Sequence, residues 1–371
     1  MVTNLKKDHH PALNLLYIIS LVFILYLLKP IVVPLIIAII LSVSVFPFVL
    51  YLERKWHFNR IISAIFAILV LSVVISGVLI FIGFQLADII DKGGSYAAKL
   101  SELYNSLTSS IENTFGLNKS ELSLKKLNLG ETLKENSSNI LEFVTMSGSI
   151  FTDVILIPLY MFFFLIYRKF FKSFFYRAFS RDGNTLKAKT ILSKLYDVQQ
   201  NYLIGLFTVM GIVGILNSIG LLILGIDNAI FFGFLAALLL LIPYIGIIIG
   251  SLLPALVALA TKDSLLYPIA VIAIFVFIQF IEGNFITPKI TGSKVSINAF
   301  VAILSIILFS MLWGTAGMIV ALPLVASLKV VFDIIPELKP YGFLIGVPLD
   351  EHLRSRARIR LKNWKKLRKV G

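Results

Sequence analysis

The chain contains no cysteine among its 371 residues. No disulfide can therefore staple an outer segment, and no thiolate metal site or catalytic thiol is available. Histidine is nearly as scarce. His9, His10 and His57 lie near the start and His352 in the tail, too scattered to form a ligand cluster. No metal or cofactor is expected. Charge is sparse as well: Asp, Glu, Lys and Arg make up 15% of the residues, against about 25% in a soluble domain. A phosphate-cradling glycine-rich loop ending in Lys-Ser or Lys-Thr is missing, so nucleotide hydrolysis on this chain is not expected. Nor does a nucleophile–His–carboxylate pattern point to an enzyme.

Apolar length takes the place of charge. Hydrophobic residues form 58% of the chain and mean hydropathy is +0.92, beyond what one soluble core can hide. Apolar runs at 12–28, 31–52, 61–84 and 203–226 match the roughly 20 helical residues that cross a bilayer. Lipid offers backbone groups no partner, so spanning segments are helices or closed barrels. A barrel needs short alternating strands, whereas these runs are apolar all round. The expected fold is an all-α polytopic membrane protein with about six to eight spanning helices. Lys6 and Lys7 suggest the basic end of a leader. No small-residue cleavage site follows, and the first run is read as a retained span.

Positive charge is clustered. Arg54, Lys55 and Arg60 share one loop, and Arg168, Lys169, Lys172, Arg177, Arg181, Lys187, Lys189 and Lys194 fill another. The tail carries Arg354, Arg356, Arg358, Arg360, Lys362, Lys365, Lys366, Arg368 and Lys369. The positive-inside rule places all three regions, and both termini, in the cytoplasm. A basic tail beside a span is expected to meet anionic lipid headgroups rather than nucleic acid. Residues 85–149 are near neutral, with Leu100, Leu103, Tyr104, Leu107 and Ile111 at helical spacing. They are expected to form an outer amphipathic helical segment. The chain thus divides into three spans (1–84), the outer segment (85–149), a fourth span with a basic stretch (150–200), a core of broken apolar runs (201–335) and the basic tail (336–371).

Within that core, 229–260 and 300–332 are each too long for one crossing and too short for two. The first breaks at Pro243-Tyr244-Ile245-Gly246 and the second at Trp313-Gly314-Thr315-Ala316-Gly317. Proline removes a donor and glycine permits a turn. Both are expected as re-entrant helical hairpins. Pairs of tilted spans preserve the same parity, and simple kinks are the plainer alternative. Paired, interrupted apolar segments point to a substrate site near the bilayer midplane. Pro243, Tyr244, Gly246 and Thr315 are the candidates there. Gly250, Pro254, Pro288, Gly314, Gly317 and Pro323 are expected in hinge or packing roles, with Gly246 and Gly250 forming a GxxxG element.

The stretch from Gln279 to Lys289 holds a carboxylate in an apolar helix. Gln279 and Glu282 lie three residues apart on one face, and Pro288 is expected to end the helix. An ionisable group at that depth is a functional hypothesis by default. The plainer reading pairs Glu282 with Lys289 or Lys294 as an anchor. Asn284 joins the candidate set. On the fifth span, Asn217 and Ser218 either line a path or bond neighbouring helices.

Three ordered motifs resemble the autoinducer-2 exporter-like family of prokaryotic transporters: Pro243-Tyr244-Ile245-Gly246 through Pro254, Gln279–Glu282-Gly283-Asn284 through Thr287-Pro288-Lys289, and Trp313-Gly314 through Gly317-Met318 to Pro323 and Lys329. The order of features matches from Pro30 to about Asp333. The resemblance implies a homo-oligomeric secondary transporter in the inner membrane. Members are associated with export of a signalling furanone precursor, and others with sodium/proton exchange. Three functions are therefore carried: an exporter of a small polar organic solute working by alternating access, a cation/proton antiporter using Glu282, and a non-transporting membrane scaffold. One departure is plain. The family often has His-Pro after the glycine-containing linker, where this chain has Asn298-Ala299.

Overall fold

The computed structural model describes residues 11–115, 148–179, 185–242, 245–291 and 297–346. Pro243, Tyr244, Lys294, much of the outer segment and the basic tail lie outside them. Among the described residues every named element is helical, apart from one isolated bridge between Ile297 and Gly346. In chain order these are α1 (Pro11–Leu27), α2 (Lys29–Lys55), α3 (Arg60–Phe115), α4 (Gly148–Ile166), α5 (Arg168–Phe179), α6 (Thr185–Ile223), α7 (Ala229–Leu239), α8 (Ile245–Thr261) and α9 (Leu266–Ile281). A π turn (Glu282–Ile286) joins α9 to α10 (Thr287–Thr291). Then come α11 (Ala299–Trp313), α12 (Thr315–Ile334), a 3-10 turn (Pro336–Leu338) and α13 (Lys339–Ile345).

Among the described residues, five stretches are long and apolar enough to cross a membrane: Lys29–Lys55, Arg60–Tyr96, Leu186–Ile223, Leu266–Ile290 and Thr315–Ile334. The pair Val154–Ile166 and Arg168–Ala178, bent by 73°, makes up to six. Their outward side chains are apolar, as at Val73, Leu79 and Ile80 on α3. A helix hydrophobic on its exposed face fits lipid, not water. The all-α polytopic expectation holds. Helix α3 also runs unbroken beyond its apolar part to Phe115.

The chain forms two compact units, Met1–Lys172 with Gln200–Gly292, and Ser173–Gln199 with Ser293–Gly371. The first is cored by Leu221, Phe231, Phe232, Val271 and Phe275. Small residues let its helices approach closely. A Cβ on Gly220 would lie 2.5 Å from Ile274 Cγ2, bringing α6 onto α9. Gly233 sits against Ser218, bringing α7 onto α6. On α3, Asp88 and Gln85 accept from the Asn228 amide at 3.0 and 2.5 Å, which ties α3 to the turn before α7. Lys99 donates to Asp263 at 3.0 Å, and that bond holds its ammonium above the usual lysine range.

Helices α7 and α8 fold back on each other around the first break. A Cβ on Gly250 would lie 2.7 Å from Ala236 Cβ, and one on Gly246 would lie 2.5 Å from the Leu239 carbonyl. At about 1.5 Å per residue, α7 reaches roughly 16 Å and α8 roughly 25 Å, each short of a hydrocarbon core of about 30 Å.

The second unit repeats this plan with a tighter turn. Helices α11 and α12 are separated by Gly314 alone, at φ +71°, a conformation that favours glycine. A Cβ on Gly317 would collide with the Phe309 carbonyl, so backbone packs on backbone. Here α12 is long enough to span, whereas α11, at about 22 Å, is not. Gln199 on α6 donates to the Pro323 carbonyl and to Ser327, both at 2.6 Å, fixing the first half of α6 to α12.

One expectation fails in the first unit. Pro288 does not end its helix, which continues through α10 to Thr291. Proline lacks a donor and its ring crowds the carbonyl four residues earlier. The π turn just ahead widens the helix instead, with the Thr287 N–H bonding to the Glu282 carbonyl five residues back.

Candidate functional site

Helices α6, α7, α8 and α9 converge below the apex of the first hairpin. Val213 and Asn217 from α6, Ala236 and Leu240, Gly246 and Ile247 from α8, and Phe275, Ile278 and Gln279 from α9 line a narrow crevice with room for about one water molecule. The crevice exists because the hairpin is broken. Leu240 lies just past α7, where the helix ends in tight turns with Leu240, Leu241 and Ile242 N–H groups bonding three residues back. Gly246 replaces a side chain that would fill the space beside that turn.

Two amides supply the crevice's polar groups. Asn217 is 3% exposed, and its Oδ1 is buried without a hydrogen-bond partner. Leaving such an acceptor unsatisfied costs about 1–3 kcal/mol. Gln279 commits its Nε2 to Glu282 Oε2 at 2.5 Å, which leaves its own oxygen as the second acceptor. Ser218, next to Asn217, donates within α6 to the Gly214 carbonyl at 2.7 Å and serves packing.

Behind Gln279 lies the carboxylate of Glu282. Its other oxygen accepts from Thr287 Oγ1. That contact spans five residues and exists because the π turn rotates Thr287 back onto the face of Glu282. Both partners are neutral, and among the described residues no ion pair joins Glu282 to Lys289. The anchor reading therefore lacks that cation. The half-buried carboxylate instead ends a short chain: Thr287 to Glu282, Glu282 to Gln279, Gln279 to the crevice.

The remaining candidates divide. Asn284 is exposed and donates to the Phe280 carbonyl of its own helix at 2.9 Å, apart from the crevice. Pro254 is fully buried within α8, while Gly250 makes the close approach already described. In the second unit Thr315 is exposed at the start of α12, Gly317 and Pro323 are buried, and Gly314 is the turn. Pro243 and Tyr244 lie outside the described residues. The sequence undervalued Asn217, a single amide with nothing nearby in the chain to mark it. It missed Thr287 because α-helical spacing puts the fifth residue on another face. It also left Asn298 without a role. That residue caps α11, its Oδ1 accepting from the Val301 N–H at 2.9 Å.

Long apolar helices, two hairpins of broken helix and a buried polar crevice define the class: a multi-pass α-helical membrane protein organised around helix breaks. A sequence model of the AI-2E family transporter matches residues 15–337; the chain belongs to that family, whose role is membrane transport. The "Putative transport protein YueF" of Bacillus subtilis is 25% identical over 352 residues, covering 88% of this chain and 93% of the relative. The "Putative transport protein YrrI" of the same organism is 31% identical over 144 residues, 39% of this chain and 40% of the relative. The "AI-2 transport protein TqsA" of Escherichia coli is 25% identical over 142 residues, 38% of this chain and 41% of the relative. The chain thus spans about two fifths of the length of these last two.

Proposed function

We propose that this protein is a secondary transporter that exports a small polar organic solute by alternating access, with a hydrogen-bond donor of the solute engaging Asn217 and Gln279. The observation that carries this reading is the orphaned Asn217 oxygen in a crevice at a helix break. It asks for a donor, and the Gln279 amide lines the same crevice. Broken helices around a cavity are where transporters of other folds hold their substrates. AI-2, after which one relative is named, is the first solute to test. Proteoliposomes loaded with AI-2 should release it faster than empty-membrane controls. Asn217→Leu should slow release roughly ten- to hundredfold, the cost of one unmade hydrogen bond to a buried partner, with protein amount unchanged. Release at the control rate by the native chain would defeat the solute reading.

A second reading is cation/proton antiport through Glu282. It is favoured by one observation, a half-buried carboxylate held by neutral groups and joined to the crevice through Gln279. A pH jump across proteoliposomes containing sodium and no organic solute tests it directly.

A further inference from the structure

Away from the crevice, the first unit carries a second concentration of charge where α2 ends and α5 begins. Glu53 on α2 accepts from Arg168 at 2.6 and 2.9 Å. The pair is mostly covered, and Arg168 also lies 5.2 Å from the Phe46 ring. Its Nη2 is thereby committed to Glu53. This bond fixes the residues beside each partner at one level of the molecule: Arg54, Lys55 and Trp56 after Glu53, and Tyr167, Lys169 and Phe170 around Arg168.

Those neighbours alternate cations with exposed aromatic rings. Arg54, Lys55 and Lys169 are exposed and have no carboxylate partner among the described residues. Lys55 sits 5.1 Å from the Tyr51 ring. Trp56 is 51% exposed, Tyr167 52% and Phe170 66%. Arg168–Ala178 is turned from Val154–Ile166 by 73°, so an α4 along the bilayer normal puts α5 close to the membrane plane. Tyr and Trp belong at headgroup level, and cations there are drawn to an anionic leaflet.

We infer that this corner binds the headgroup of an anionic phospholipid, its phosphate among Arg54, Lys55 and Lys169 and its acyl chains along Tyr167 and Phe170. A soluble phosphate would have no use for aromatic side chains exposed beside the cations. A lipid uses both. The site shares no residue with the proposed solute crevice.

The test uses the full chain, delipidated in neutral detergent, with the tail arginines Arg354, Arg356, Arg358 and Arg360 changed to Gln to remove their background. Phosphatidylglycerol should raise the unfolding temperature and give bound-lipid peaks in native mass spectrometry, and phosphatidylcholine should do neither. The triple variant Arg54→Gln, Lys55→Gln, Lys169→Gln should weaken phosphatidylglycerol binding about fivefold per cation. Lys55→Arg with Lys169→Arg should keep it. Neutralising these cations can also disturb insertion, so the unmutated corner gives a second reading: its phosphatidylglycerol response should fade as salt rises. An undiminished response in the triple variant, or one indifferent to salt, overturns the inference. So does full replacement of the lipid by glycerol phosphate, which would mark a free-phosphate site. None of these readouts measures transport, so failure of the solute reading leaves this one standing or falling by itself.

Discussion

The carbonyl of Ile345 accepts two hydrogen bonds from Asn298, one from its backbone N–H at 3.0 Å and one from its side-chain amide at 3.2 Å. The same amide lies 2.7 Å from the Leu344 carbonyl and 3.0 Å from that of Gly346. Asn298 thus caps α11 with its oxygen and closes the end of α13 with its nitrogen. Asn298→Ser should keep the cap and lose the closure. Asn298→Ala loses both and should cost about 1–3 kcal/mol in thermal unfolding. Asn298→Asp should be worse than Ser, because its second oxygen would face carbonyls. Limited proteolysis within α13 should rise in the same order.

The first hairpin depends on glycine at one contact. Gly250→Ala puts a Cβ 2.7 Å from that of Ala236 and should destabilise by about 1–3 kcal/mol. Gly211→Ala meets nothing within 4 Å and should be neutral or gain up to about 1 kcal/mol from helix propensity. Equal effects on the unfolding temperature would mean that α7 and α8 do not pack as described.

Glu282→Gln keeps size and hydrogen bonding but removes the titratable charge. If the carboxylate couples transport to protons, the variant should reach the membrane at normal levels while pH-dependent flux in vesicles collapses. Thr287→Val, which removes one donor to Glu282, should slow flux without abolishing it. Normal pH-dependent flux by Glu282→Gln would take this residue out of the mechanism.

Topology is open to direct labelling because the native chain has no cysteine. A cysteine at Ser110 should react with an impermeant reagent added outside whole cells, and one at Ser355 should react only after permeabilisation. The reverse pattern would invert the assignment drawn from the positive clusters.

The sequence displayed the helix breaks well, because Pro, Gly and run length act locally. Gly314 and Gly317 stand where the chain turns and where backbones touch. Contacts made at long range were hidden. Nothing near Asn298 announces carbonyls 46 to 48 residues away, and nothing near Gln199 announces Pro323. The amphipathic α5 was readable in principle, since Phe170, Phe171, Phe174 and Phe175 recur at helical spacing, but its arginines and lysines dominated the reading. Pro288 misled for a physical reason. A lone proline is ambiguous between stopping a helix and widening it, and only the neighbouring turns decide.

The π turn at Glu282–Ile286 amounts to one residue more than an α-helix needs. It therefore works as a phase shifter. Everything after it is rotated by about 100° relative to an uninterrupted helix, which puts a threonine hydroxyl where an aliphatic side chain would otherwise stand. Deleting the single exposed residue Asn284 should let the helix close up into regular α geometry. Thr287 would then stand four residues after Glu282 instead of five, on the same face of a regular helix, and the carboxylate should keep both of its donors without the π turn.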